Sequence, residues 1–280
     1  VEQTILIPID GSESVEGTSL YVQQISPKEK TRIVLMHVTP TVNALNASID
    51  SVPNVNKIYE ILAKEGWNVD IETRMGDPVF EILKMAILLP ATLLFMSTHG
   101  RSGIERIREG SVTEQVLKQS PCPVFILHST RAEPADNRTE QLFKRILVPL
   151  DGTDASSAIL ECVERFAKMH DADVVLFHDE MEHTESEDKR AAIKLKLQDQ
   201  SVELANTGLT VSLDMTTYKR PIREILSRID DMNIDLVSMV SHGDKGERRA
   251  MDESVTAEII RHSNCPLLVW SAEPQCPIVS

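Results

Sequence analysis

The chain repeats itself, and the repeat limits its architecture more than any other feature. Ile5-Leu6-Ile7-Pro8-Ile9-Asp10-Gly11 returns as Ile146-Leu147-Val148-Pro149-Leu150-Asp151-Gly152, and Val34-Leu35-Met36-His37 returns as Val175-Leu176-Phe177-His178, both 141 residues on. Pro78 with Glu81-Ile82-Leu83 returns as Pro221 with Glu224-Ile225-Leu226, now 143 residues on, as do His99-Gly100 at His242-Gly243 and Cys122-Pro123-Val124 at Cys265-Pro266-Leu267. Five blocks in one order mark a duplicated unit. The two extra residues of the second copy belong between its second strand and the helix opened by Pro221.

Within each copy short apolar runs alternate with amphipathic stretches. In the first, Thr4–Ile9, Ile33–Val38, Thr92–Met96 and Val124–Leu127 are too short for helices and apolar throughout, as strands covered on both faces are; Val69–Glu72 reads as a half-exposed strand. Ser12–Ile25, a segment around Val55–Leu62 stopped by Gly66, the stretch from Pro78 to about Leu88, and Val112–Lys118 read as helices, with Pro78 suited to a first turn. The second copy follows the same order, with Asp188–Asn206 as a long charged helix. This alternation predicts an α/β fold: two tandem open parallel five-stranded sheets, Rossmann-like, with helices on both faces. Residues 1–128 and 144–280 are the expected domains. Residues 129–143 are the linker, polar and Pro-containing at its start. Ligands of such sheets sit beyond the carboxyl ends of the strands where the strand order reverses, which selects the segments after Ile9, Val38 and Met96.

Charge narrows the function. The 29 Lys and Arg against 43 Asp and Glu leave a net charge of −14, which speaks against a nucleic-acid or membrane-surface partner. Cys122, Cys162, Cys265 and Cys276 form no C-x-x-C pair, and no apolar run reaches about 18 residues. The expectation is a cytoplasmic protein without leader or membrane span.

The chemistry gathers after the fourth strand of the first copy. Ser97-Thr98-His99-Gly100 is followed by nine residues and then Gly110-Ser111 at a helix start. Glycine lets a backbone approach a phosphate closely, and a helix N-terminus offers unpaired amides and a positive dipole end. Arg101, Arg106 and Arg108 lie between, a basic cluster in an acidic protein. Turn glycines with a solvated basic loop are the alternative reading, and Ser111 with Glu114 also reads as a capping box.

On these motifs the chain resembles a tandem universal stress protein across roughly Thr4–His128 and Lys144–Ser271. The ATP-binding members of that family carry G-x-x-G, nine residues, then G-[S/T]. The first copy matches at Gly100 and Gly110-Ser111 and departs at Ser97, which implies weakened binding rather than none. The resemblance implies ATP or another adenine nucleotide, with Mg2+ as an accompanying ion, in the first domain only. Gly100, Gly110, Ser111 and Val112 would hold phosphates and ribose, Asp10 would accept a bond from adenosine, and the Val38 backbone would meet the adenine edge. Pro8, Met96, Ser97, His99 and Arg101 complete the implied site. The last strands would pair domain with domain as a pseudo-twofold dimer inside one chain, with a homodimer as a further partner state.

The second copy departs further. It reads Val240-Ser241-His242-Gly243, nine residues, then Glu253-Ser254, so Glu253 beside Asp252 would set carboxylates against a phosphate. A like charge at about 4 Å costs ~1 kcal/mol in water and several times more in a desolvated cleft. Asp179 stands for Val38 and opens an acidic run through Glu180, Glu182, Glu185, Glu187 and Asp188, and Ala257 stands for Glu114. Asp151, Lys245, Arg248 and Arg249 remain.

Catalytic and metal signals are weak. His37 and His178 each end a strand, where packing and one hydrogen bond satisfy them. His99 and His242 stand at the site mouth, as phosphate contacts or as loop-orienting groups. No H-E-x-x-H, G-x-S-x-G or G-x-x-x-x-G-K-[ST] pattern occurs, and Cys122 and Cys265 read as small apolar fillers, with redox sensing as the alternative. No catalytic and no metal-ligating residue is assigned. The leading expectation is a stress-response sensor or adaptor that binds an adenine nucleotide in its first domain. A nucleotide-free interaction module and a very slow ATPase remain as alternatives.

Overall fold

The structure, a computed structural model, describes residues 3–11, 13–39, 53–98, 112–128, 141–180, 186–218, 220–241, 253–263 and 265–270. They fall into two compact units, one within Val1–Glu140 and one within Gln141–Cys276.

In the first unit the elements run β1 (Gln3–Pro8), α1 (Val15–Ile25), β2 (Thr31–Thr39), α2 (Pro53–Lys64), β3 (Asn68–Met75), α3 (Pro78–Leu88), β4 (Leu93–Thr98), α4 (Val112–Gln119) and β5 (Val124–His128). The strand order is β3-β2-β1-β4-β5, and the paired strands are parallel. The chain therefore winds outward in one direction from β1 to β3 and in the other from β4 to β5. The order reverses between β1 and β4. Helix α1 packs on α2 and α3 on α4.

The second unit repeats the plan with β6 (Arg145–Pro149), α5 (Asp154–Ser157), α6 (Leu160–His170), β7 (Asp173–Asp179), α7 (Glu187–Asn206), β8 (Val211–Thr216), α8 (Pro221–Asp231), β9 (Leu236–Val240), α9 (Glu253–His262) and β10 (Leu267–Trp270). Its order is β8-β7-β6-β9-β10. Each unit thus carries five parallel strands, as the sequence suggested, and β5 and β10 are buried at every position.

The strands form where they do because their residues have no exposed face to give. Leu6, Ile33, Val34, Leu35, Leu94 and Phe95 are all at most 0% exposed, and so are Ile146, Leu147, Val148, Val174, Leu176 and Phe177. Burying such a side chain contributes about 2 kcal/mol, so a register slip in any central strand is strongly disfavoured. Aromatic residues are few, and they meet in pairs: Phe95 stacks on Phe125 and Phe143 meets Phe166 edge to face, each pair with ring centroids 5.1 Å apart.

The helices start where local chemistry allows. Asp77 caps α3, its carboxylate accepting from the Phe80 amide at 2.9 Å, and Pro78 takes the first turn as expected. Helix α1 begins at Val15, later than the expected Ser12, because Ser14 is the cap and accepts from the Gly17 amide. The helix after β6 is broken into α5 and α6. Both the Ser156 and Ser157 hydroxyls donate to the Thr153 carbonyl, and such back-bonding competes with regular helix hydrogen bonds.

Candidate functional site: the carboxyl ends of the central strands

In a parallel sheet all strands end on one edge, so the site is decided by what the turns after β1, β2 and β4 present there. Pairing sets Pro8 beside Met36, and Leu6 beside Leu94. The carboxyl ends of β2, β1 and β4 are thus adjacent at the point of strand-order reversal. Of the expected site residues, Pro8, Asp10, Val38, Met96, Ser97 and Val112 lie on or next to these ends or at the start of α4. His99, Gly100, Arg101, Gly110 and Ser111 lie outside the described residues, and so do the basic cluster and the linker 129–140.

Beyond Pro8 the chain stays paired for one more residue, the Ile9 amide donating to the Met36 carbonyl at 2.8 Å. Asp10 follows, exposed. Gly11 turns the chain at φ 94°, a left-handed conformation that suits a residue without Cβ. His37 donates from Nδ1 to the Ile9 carbonyl at 2.9 Å, which fixes the end of β2 against the end of β1. Val38 and Thr39 are half-buried. On β4, Met96 is buried and Ser97 half-buried, while Thr98 Oγ1 and His128 Nδ1 lie 3.0 Å apart and tie the ends of β4 and β5 together.

Two residues that hold this turn were missed by the sequence reading. Glu13 is buried, and its carboxylate accepts from the amides of Asp10 at 2.7 Å and Gly11 at 3.0 Å. Asn54, from the first turn of α2, donates from Nδ2 to the carbonyls of Gly11 at 2.9 Å and Glu13 at 3.0 Å. The legible signal was the spacing Asp10-Gly11-x-Glu13, in which an acid two or three residues past a glycine turn can fold back onto its amides. Nothing in the sequence marked Asn54.

The same place in the second unit is built differently. Asp151 Oδ1 turns back onto its own loop, accepting from the Thr153 amide at 2.9 Å and the Thr153 hydroxyl at 2.7 Å. Lys196 of α7 donates to the Gly152 carbonyl at 3.1 Å and to Asp154 at 2.7 Å. Ile193 packs so close that a Cβ on Gly152 would meet its Cγ2 at 2.7 Å. His178 Nδ1 donates to the Leu150 carbonyl at 2.8 Å, as His37 does to Ile9. Asp179, at the place of Val38, is 8% exposed. Its Oδ1 accepts from Thr216 Oγ1 at 2.9 Å and its Oδ2 from the Arg220 amide at 2.8 Å. Asp179 is therefore committed to the turn between β8 and α8. It fills the space next to the strand end rather than lining an open cleft.

Other candidates place elsewhere. Cys122 and Cys265 are buried, and burial pushes the Cys122 thiol up to about 11, so it stays protonated and unreactive at neutral pH. A cavity lined by Lys28, Lys30, Arg32 and Asn68 lies at the amino-terminal ends of β2 and β3, opposite the expected site. Among the described residues no three His, Cys, Asp or Glu side chains gather as a metal site, and no helix is long and apolar enough to cross a membrane.

Each unit is thus a parallel α/β domain of the class that binds ligands at a strand-order reversal. The family model described as the universal stress protein family matches residues 2–128 and again 142–270. The chain belongs to the universal stress protein family and carries its domain twice. A universal stress protein of Methanocaldococcus jannaschii is 32% identical over 147 residues, covering 46% of this chain and 84% of the relative. The crystal structure of a universal stress protein from Archaeoglobus fulgidus covers 96% of this chain and 98% of its own, with a TM-score of 0.68 at 21% identity, a likeness of fold. A structure of a universal stress protein from the same organism in complex with dAMP covers 45% of this chain and 98% of its own, at 16% identity and a TM-score of 0.34.

Proposed function

We propose that the first unit binds ATP or another adenine nucleotide at the carboxyl ends of β1, β2 and β4, and that the chain acts as a cytoplasmic stress-response sensor or adaptor. In this reading Asp10 accepts a hydrogen bond from the nucleoside, and the Val38 backbone meets the adenine edge. Pro8, Met96 and Ser97 form the floor, and His99, Gly100, Arg101, Gly110, Ser111 and Val112 hold ribose and phosphates, with Mg2+ accompanying the triphosphate. Residues 129–143 link this domain to the second, which binds no nucleotide well.

One observation carries the restriction to the first unit. At the end of its second strand the first unit has the half-buried, uncharged Val38, where the second has the buried Asp179 carboxylate bonded to Thr216 and Arg220. The adenine edge meets an uncharged strand end in the first unit, whereas the second would set it against a desolvated negative charge.

Calorimetric titration of ATP into the intact chain and into a Gly110→Glu variant tests the proposal. Glutamate at that position copies Glu253 and brings a carboxylate to the phosphates. The expected result is one site per chain in the parent and at least about fivefold weaker binding in the variant, from a repulsion of ~1 kcal/mol or more. Equal affinity in the two proteins refutes the site, and two equivalent sites per chain refute the restriction to the first unit.

A further inference from the structure

Helix α3 of the first unit is apolar on its outside as well as its inside. Val79, Ile82, Met85 and Ala86 are buried, as the inner stripe of a helix packed on a sheet must be. The outer face carries Phe80, Ile87 and Leu88, which are 61%, 67% and 62% exposed. Spaced at i, i+7 and i+8, they share one stripe. Lys84 stands within that stripe, its ammonium 5.7 Å from the centre of the Phe80 ring. Met75, 58% exposed, lies just before the helix at the end of β3. Together these side chains leave roughly 400 Å² of apolar surface in water, the size at which an exposed patch marks an interaction site.

The fold does not require this face. Helix α8 holds the same place in the second unit, opened by Pro221 as α3 is by Pro78. There the positions of Phe80, Ile87 and Leu88, 143 residues on, are Arg223, Asp230 and Asp231, all exposed. Ile225 and Ile229 stay buried at the places of Ile82 and Ala86. The inside of the helix is thus alike in the two units, and only the first has an apolar outside.

We propose that the outer face of α3 is the contact by which two copies of this chain pair, helix against helix and antiparallel, about a twofold axis near Phe80. The charges on the face select this occupant and this register. Asp77 stands exposed at the start of α3, where its Oδ1 accepts from the Phe80 amide at 2.9 Å. Lys84 lies two turns on and so on the same side of the helix. Within its own chain Lys84 reaches the Glu81 carboxylate at 3.7 Å, a long contact that leaves the lysine half exposed. A twofold axis midway between Asp77 and Lys84 brings each lysine opposite the partner's Asp77, two ion pairs from one self-complementary patch. The same operation sets the two Phe80 rings together at the centre. It carries Ile87 and Leu88 past the start of the partner's helix, towards its Met75.

Joining two such faces removes about 800 Å² of apolar surface, which with a polar rim reaches the ~1,200 Å² at the lower end of specific interfaces. Two chains of net charge −14 also repel one another. The complex is therefore a weak dimer, held in about the micromolar range. It stands independently of the nucleotide reading.

Sedimentation equilibrium of the intact chain from about 1 to several hundred micromolar tests the pairing. The parent should approach twice the mass of one chain across that range. Phe80→Arg, Ile87→Asp and Leu88→Asp combined, the residues that α8 already carries, should weaken association at least about a hundredfold. Lys84→Glu sets like charges at both ion pairs and should weaken it about tenfold. A parent that keeps the mass of one chain at every concentration overturns the proposal. So does a dimer that forms equally well in the triple variant, since another surface then joins the copies. A dimer indifferent to Lys84→Glu overturns the antiparallel register. Should circular dichroism show the triple variant unfolded, Lys84→Glu, at a half-exposed position, decides alone.

Discussion

Replacing Asp179 by valine puts into the second unit the residue that the first carries at the same place. The side chains are close in volume, so the change leaves almost no cavity and the effect is one of polarity. Two charge-assisted bonds are lost, from Thr216 Oγ1 at 2.9 Å and from the Arg220 amide at 2.8 Å. Their partners are affected unequally. Arg220 is exposed and its amide can turn to water, whereas Thr216 is 7% exposed and its hydroxyl is stranded. A stranded buried hydroxyl costs about 1–3 kcal/mol and the loss of a bond to a charged acceptor about as much. Removing a desolvated carboxylate and burying valine methyls returns roughly 1–2 kcal/mol. The net expectation is a destabilisation of about 2 kcal/mol, with Asp179→Asn in between because its carbonyl still accepts from one donor. Urea unfolding of the intact chain, with hydrogen exchange at the β7 and β8 amides to localise the effect, measures it. A valine variant as stable as the parent, with unchanged protection in those two strands, would show that Asp179 does not lock this turn and would remove the structural reason for a closed second cleft.

Three further substitutions probe packing and backbone strain in the second unit. His170 lies against the Phe143 and Phe166 rings at 4.9 and 4.5 Å, and burial lowers its imidazole to about 4. The unfolded chain therefore binds the proton first as pH falls from about 6.5 towards 4, and stability is lost across that window by up to about 3 kcal/mol. His170→Phe should flatten this part of the stability curve, and an unchanged slope in denaturation at pH 7, 5.5 and 4.5 would contradict the assignment. Alanine at Gly152 and at Gly208 separates clash from backbone strain. Both glycines have left-handed backbones, at φ 86° and 98°, but only at Gly152 does a Cβ meet Ile193, the surroundings of Gly208 being open within 4 Å. Gly208→Ala should cost about 1–2 kcal/mol and Gly152→Ala clearly more. Equal losses in urea unfolding would mean that Ile193 does not press on this turn.

The fold was legible because its signals are collective. A run such as Ile5-Leu6-Ile7, buried at every residue, recurs 141 residues on with the same character, and no single substitution alters the message. Strand β3 was underestimated because its reach is set by its neighbour: only Val69–Glu72 reads as a strand, but in-register pairing with β2 continues to Thr39 opposite Met75. The site was less legible because a side chain's destination is a local three-dimensional fact. Asp10 and Asp151 are identical within the repeat, yet one is exposed and the other is folded onto Thr153. Asp179 read as the start of an acidic run, but a hydroxyl on β8 and an amide at the start of α8 draw it inside. The glycines and arginines that suggested a phosphate cradle lie outside the described residues, so that part of the site stands on sequence alone.

The comparison of the two units shows what kind of change the fold permits. The Gly11 carbonyl is capped by Asn54 from the helix after the second strand, and the Gly152 carbonyl by Lys196 from the corresponding, longer helix. Both turns need a donor at this carbonyl, since an unpaired one would carry a cost comparable to a lost hydrogen bond. A short neutral amide meets that need next to the buried Glu13, and a long cation meets it next to the exposed Asp154. Beside the neutral amide, burial pushes the Glu13 carboxyl up to about 7. The central strands, apolar on both faces, hold the backbone of each unit in place while such exchanges occur at the strand ends. Two copies of one unit can in this way keep one scaffold and present different chemistry at its edge: a turn held by the buried Glu13 in one, a turn held by Asp151 and Lys196 in the other.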